Sequence, residues 1–174
     1  MSTGKLEESS FHLGGGAEDK ARISDADGRF VIADAPRGEV TITGFSMDFA
    51  NSAYGFVQIP VDVDGPNVDL GDLPVARMRA PAMERGGDFG VAFKDAAPGT
   101  RAADRVLEVS RLRPGGPGEG SPAVGDVIVS IDGHDVRGRN GYLAATLMHV
   151  PVGTAVEFGL ARGATVSITA AAPP

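Results

Sequence analysis

Apolar residues along this chain recur mostly at every second position, in short runs interrupted by glycine and proline, which is the period of strands. In ISDADGRFVIADAPRGEVTITGF, Phe30 and Ile32 alternate with Arg29 and Val31, and Val40 and Ile42 alternate with Thr41 and Thr43, so the segment predicts a hairpin. Asp25, Asp27 and Gly28 supply a tight turn, because Asp side chains bond nearby backbone N–H groups and Gly accepts positive φ. A second turn falls at Pro36–Gly38. Val57, Ile59, Val61 and Val63 then alternate with Gln58, Pro60, Asp62 and Asp64. Pro60 cannot donate to a ladder, which predicts an edge strand. Val68, Leu70, Leu73 and Val75 close this region. Residues 77–86, RMRAPAMERG, lack periodicity and read as a linker. Beyond them Phe89, Val91 and Phe93 alternate, RVLEVSRL supplies a further strand, and Val127, Val129 and Ile131 another. Leu143, Ala144, Leu147 and Met148 fall on helical spacing after Asn140, a suitable N-cap. Val156, Phe158 and Leu160 form a strand that the Arg162–Gly163 turn returns antiparallel through Val166 and Ile168.

Composition narrows the function classes. With 174 residues, 42% hydrophobic, the chain has room for one large domain or two small ones, and global disorder is excluded. The 25 Gly and 12 Pro suit many short strands and argue against a helical bundle. Residues 1–80 carry 7 Lys and Arg against 13 Asp and Glu, whereas residues 81–174 carry 9 against 10. That shift fits a boundary near residue 80, and the lack of a clustered basic run argues against a nucleic-acid partner. No cysteine is present, which removes disulfides and thiol chemistry without fixing the compartment. No apolar run suits a signal peptide or a membrane span, so the expectation is an unanchored chain without membrane insertion. Export is expected only if the chain is a piece of a longer secreted protein, and a cytoplasmic location otherwise.

Two family resemblances follow from specific motifs. SDADGRF and APRGEV resemble the paired turns of the carboxypeptidase regulatory-like (transthyretin-like) family over roughly residues 14–76. That family's opening strands are absent or unrecognisable in residues 1–13. GGDFGVAF (Gly86–Phe93), RPGGPGEGSPAVGDVIVSIDGHDV (Arg113–Val136) and VPVGTAVEFGLARG (Val150–Gly163) occur in the order found in PDZ domains of the bacterial, protease-associated type. The resemblances imply a mainly β chain: a transthyretin- or Ig-like β-sandwich followed by a PDZ-like β-barrel with one or two short helices. The expected organisation is a disordered or partial strand over 1–13, the sandwich over 14–76, the linker over 77–86 and the PDZ domain over 87–171.

The PDZ resemblance implies that Asp88, Phe89, Gly90 and Val91 form the loop that presents backbone N–H groups to a peptide's terminal carboxylate, with Arg85 adding long-range attraction. The chemistry is reasonable on its own terms. A carboxylate entering a partly apolar cleft loses water and needs several aligned donors, and a bend at glycine gathers successive N–H groups into a nest. The ligand would extend Val91, Ala92 and Phe93 as an added antiparallel strand. Asn140, Ala144, Leu147 and Met148 of the helix would form the other wall. Asp88 sets a negative charge beside this seat, which opposes binding unless the side chain points to solvent.

Other constellations are read as structural. His12, His134 and His149 stand in no metal-ligand spacing. Ser121 lies in no nucleophile motif. Asp25, Asp27 and Asp34 fail the calcium-loop pattern, the acidic stretch Asp62–Asp72 reads as a solvated edge, and Gly115–Gly120 is followed by no Lys-Ser/Thr pair. The expectation is a non-catalytic protein-interaction module without cofactor or metal, whose partner is an extended or C-terminal peptide. The alternatives are a structural or surface-adhesion spacer, or the accessory C-terminal portion of a secreted peptidase.

Overall fold

Alternating runs become strands because lateral pairing satisfies the backbone while one face is shielded from water. The computed structural model describes residues 9–14, 20–46, 52–73, 75–96, 105–138 and 141–174. Over these the chain is mainly β, in two antiparallel sheets with one helix.

The N-terminal half forms one sheet from β1 (Ser9–Gly14), β2 (Lys20–Ile23), β3 (Gly38–Ser46) and β4 (Val57–Val63), in the order β2-β1-β3-β4. Register pairs Val40 with Val61 and Ile42 with Ile59, which gathers the apolar side chains on one face. On the other face the Gln58 amide donates to Thr43 Oγ1 at 3.2 Å. β4 is an edge strand, as Pro60 requires.

Within the stretch expected as a disordered or partial strand over 1–13, residues 9–13 belong to β1, which is paired on both sides by β2 and β3; residues 1–8 lie outside the described residues. The β1 run is short and leads directly into glycines, so the alternation is hard to recognise. The Phe30–Ile32 segment, expected as half of a hairpin, forms no strand. Asp25 explains why. Its Oδ1 accepts the N–H groups of Asp27 and Arg29 at 2.9 and 2.8 Å, and its own N–H donates to the Arg29 carbonyl at 2.9 Å, so the chain closes on itself before a ladder can start. Asp34, at φ 54°, and Pro36, without an N–H, end the extended stretch. Alternation still serves packing: Phe30 and Ile32 lie against Val40, Ile42 and Val63, while Val31 is 78% exposed. Leu70 packs on the same patch, and Tyr54, Leu73 and Val75 pack beside Ile59. Among the described residues, the layer facing this sheet is therefore made of turns and coil.

The C-terminal half contains β5 (Val91–Ala96), β6 (Val106–Leu112), β7 (Val127–Ile131), β8 (His134–Asp135), α1 (Gly141–Met148), β9 (Ala155–Leu160) and β10 (Thr165–Thr169). Its sheet runs β10-β9-β7-β6-β5, with β8 paired to β7. A bridge between Asp88 and Ala171 joins the start of this unit to its end. Phe158, Ile128, Ile131, Val109, Val136, Val150 and Val156 are fully buried, and Ala144 and Leu147 bring α1 onto them. Each large apolar side chain removed from water contributes about 1.5–3 kcal/mol. Among the residues whose burial is described, this cluster holds 14 buried residues against 3 in the main N-terminal one.

The segment expected as a linker is fastened to the C-terminal half. Arg79 Nη2 donates to the Leu147 carbonyl at the end of α1 at 2.7 Å and pairs with Asp132 at 2.6 Å. His149 Nε2 lies 2.9 Å from the Pro81 carbonyl, and Ala80 is buried. Gly55 abuts Thr146 so closely that a Cβ there would lie 2.1 Å from Thr146 Oγ1.

Candidate functional site

Gly90 is the pivot of the loop that enters β5. Its φ of +69° belongs to the left-handed region, where a Cβ is strained. Space is tight as well, since a Cβ would meet Gly116 Cα at 3.1 Å and Pro117 Cδ at 3.2 Å, so that the turn would have to give by a few tenths of an ångström. The bend is held by backbone bonds: Arg113 N–H to the Gly90 carbonyl at 2.7 Å, Gly118 N–H to Phe89 O at 2.9 Å, and Gly87 N–H to Val150 O at 2.7 Å. Asp88 exchanges two backbone bonds with Ala171, at 2.8 and 2.9 Å. The Phe89 side chain is buried edge-on against Phe158, with ring centroids 5.7 Å apart, so the loop is anchored in the core.

Asp88 neither points to solvent nor stands idle beside the bend. Its Oδ1 accepts the Gly90 N–H at 3.2 Å and its Oδ2 forms an ion pair with Arg113. One of the donors expected to receive a guest carboxylate thus already holds a carboxylate. Sequence reasoning identified Asp88 as a problem but missed Arg113, because only the β5–β6 pairing brings residues 88 and 113 together.

β5 ends its sheet, so its outer edge is unpaired among the described residues. The Gly90 carbonyl accepts from Arg113 N–H, and the Ala92 carbonyl accepts from Ser110 Oγ at 3.1 Å. Even positions therefore face β6, and the two-residue period directs the N–H and C=O groups of Val91, Phe93 and Asp95 outward. The register shifts at Ala92/Phe93, where β6 carries the extra residue Ser110, whose hydroxyl donates to the Ala92 carbonyl. Phe93 stacks on Phe158 at 6.3 Å, which ties the edge strand to the core.

The helix contributes less to the trough than expected. Ala144 and Leu147 are 3% and 5% exposed and are committed to the core. Met148 is half-buried against the same cluster, and Asn140 lies outside the described residues. Arg85 is exposed. The residues set aside in the sequence stay dispersed. His134 is exposed on β8, His149 contacts the Pro81 carbonyl, Ser121 is exposed, and Asp25 serves its own turn. The side chain of His12 lies outside the described residues. Among the described residues, no three His, Asp or Glu side chains are grouped to hold a metal ion, and no helix is long and apolar enough to cross a membrane. No family model matches the sequence, and no curated protein matches it.

Proposed function

We propose that this protein recognises an extended segment of another polypeptide, which adds as an antiparallel strand to the outer edge of β5. The observation that carries the reading is an edge that no described residue pairs, with the main-chain groups of Val91, Phe93 and Asp95 directed away from β6 and the strand tied to the core through Phe93 and Phe158. Main-chain bonds along such an edge supply affinity, and alternate side chains supply specificity. One short added strand buries little surface, and ordering a flexible peptide opposes it, so the affinity expected is roughly micromolar. The PDZ resemblance of the three sequence blocks supports the same edge. The reading assigns the protein no catalytic step.

Asp95→Pro tests it. Residue 95 is exposed and its N–H faces outward, so proline removes a donor from the edge without removing one from the β6 ladder. Selection from an array of random decapeptides, followed by amide chemical-shift mapping, should place binders on Val91 and Phe93. Asp95→Pro should weaken them about fivefold or more, the equivalent of one net hydrogen bond of about 1 kcal/mol. Binders that leave the Val91 and Phe93 amides unmoved, or that ignore Asp95→Pro, would rule out strand addition here.

A further inference from the structure

We infer that the loop at Gly90 is closed to terminal carboxylates by the protein's own Asp88, and that the β5 edge selects internal extended segments whose chain continues past the loop. This deepens the strand-addition reading and rests on it. A free C-terminus would need the Gly90 N–H, and that donor is engaged by Asp88 Oδ1 at 3.2 Å. The cation that would neutralise a guest is engaged as well, because Arg113 is paired with Asp88 Oδ2. Both partners are set by the backbone. Asp88 is fixed between two bonds to Ala171, and Arg113 by its N–H to the Gly90 carbonyl. The loop has no slack with which to open a second seat, since Gly116 and Pro117 lie against the position a Gly90 Cβ would take and Gly118 against Val91.

A guest carboxylate would therefore have to rotate Asp88 off two partners at once. If Asp88 stayed, the guest would sit beside a like charge in a cleft partly closed to water, where repulsion is weakly screened. An internal segment meets neither obstacle. It needs only the outward groups of Val91, Phe93 and Asp95, which alternate at the spacing of an antiparallel partner. Asp88 and Arg113 thus act as a specificity device that works by exclusion, and the attraction comes from the edge.

The experiment compares one set of decapeptides synthesised twice, as free acids and as C-terminal amides, on the whole chain, on Asp88→Ala and on Asp88→Asn. Chemical shifts at Val91 and Phe93 report occupancy. The wild-type chain should bind the two forms within about threefold or favour the amide. Asp88→Ala frees both the Gly90 N–H and Arg113 and should shift preference to the free acid by about tenfold. Asp88→Asn keeps an acceptor for Gly90 but removes the charge, should move in the same direction, and serves if the alanine variant loses its sheet. A wild-type preference of tenfold or more for free acids would overturn the inference while leaving strand addition intact. So would an Asp88 series with no change in preference. Peptides of neither form moving Val91 or Phe93 in any of the three proteins would instead refute strand addition, and the inference with it.

Discussion

Gly90 and Gly115 share a φ of +69° but differ in surroundings, which makes them a matched pair for separating backbone strain from steric exclusion. Alanine in the left-handed region costs about 1–2 kcal/mol, and the stiffer unfolded chain returns about 0.4–1 kcal/mol. At Gly115 nothing lies within 4 Å of a new Cβ, so Gly115→Ala should cost the backbone strain alone, a net of about 0–1.6 kcal/mol. At Gly90 the Cβ also meets Gly116 Cα at 3.1 Å and Pro117 N at 3.3 Å, both parts of a backbone turn that cannot step aside alone. Overpacking of this kind adds about 1–3 kcal/mol, so Gly90→Ala should cost about that much more than Gly115→Ala. A chain of this length shifts its melting midpoint about 2–4 °C per kcal/mol. Circular dichroism melts, with urea midpoints as a cross-check, should therefore place Gly90→Ala well below Gly115→Ala. The Val91 and Phe93 amides should shift in the former alone. Equal destabilisation of the two variants would refute the claim that the 113–118 turn closes on the bend.

Three further outcomes are expected. Phe158→Ala removes the fully buried ring on which Phe89 and Phe93 both rest, and should cost about 3–5 kcal/mol in urea denaturation while broadening the β5 amide resonances. Arg79→Met keeps the aliphatic stem but drops the bonds to Leu147 O and Asp132; the half-exposed site limits the loss to about 1 kcal/mol, and hydrogen exchange should quicken at the end of α1. Asp126 is held below its ordinary value of 3.8 by the Arg162 guanidinium and then by the Ala123 N–H. A carboxyl lowered on folding stabilises above its unfolded value and ceases to as pH falls through the folded one, so denaturant midpoints of wild type and Asp126→Asn should differ at pH 7 and converge below pH 3.8.

Where a local period governs the outcome, the fold was legible in the sequence. α1 covers Gly141–Met148 where helical spacing placed it, and β3, β4, β6, β9 and β10 follow their alternations because each has one apolar face to bury; in β7 the alternation of Val127, Val129 and Ile131 fails, because the register shifts between Ile128 and Ser130 and buries Ile128 with Ile131. The failures have a common cause. Phe30 and Ile32 have the period of a strand, but Asp25 closes its turn on the N–H groups of Asp27 and Arg29, and period alone does not distinguish packing from pairing. Ala144 and Leu147 lie on the expected helix face, yet that face is turned into the core, an orientation set by Phe158 and Ile128 from distant strands. Segment 77–86 has no period at all, so nothing in it announces that Arg79 would reach Leu147 and Asp132, 68 and 53 residues on.

That last contact bears on how the site is organised. The loop beside the proposed edge and the end of α1 are each held by an arginine that local sequence does not explain. Arg113 secures the loop through Asp88, and Arg79 secures the end of α1 through the Leu147 carbonyl, where the helix dipole favours a cation. Because Arg79 belongs to the stretch leading out of the N-terminal sheet, and Gly55 from the same half seats against Thr146, the N-terminal half braces α1 of the C-terminal half, which packs on the core beside the strand proposed to bind. Under the proposed strand addition, elements held in this way lose little freedom, which lowers the entropic cost of binding. They also yield little to poorly shaped guests. Rigidity on both sides, together with a carboxylate already seated at the bend, favours selection by exclusion over adaptation.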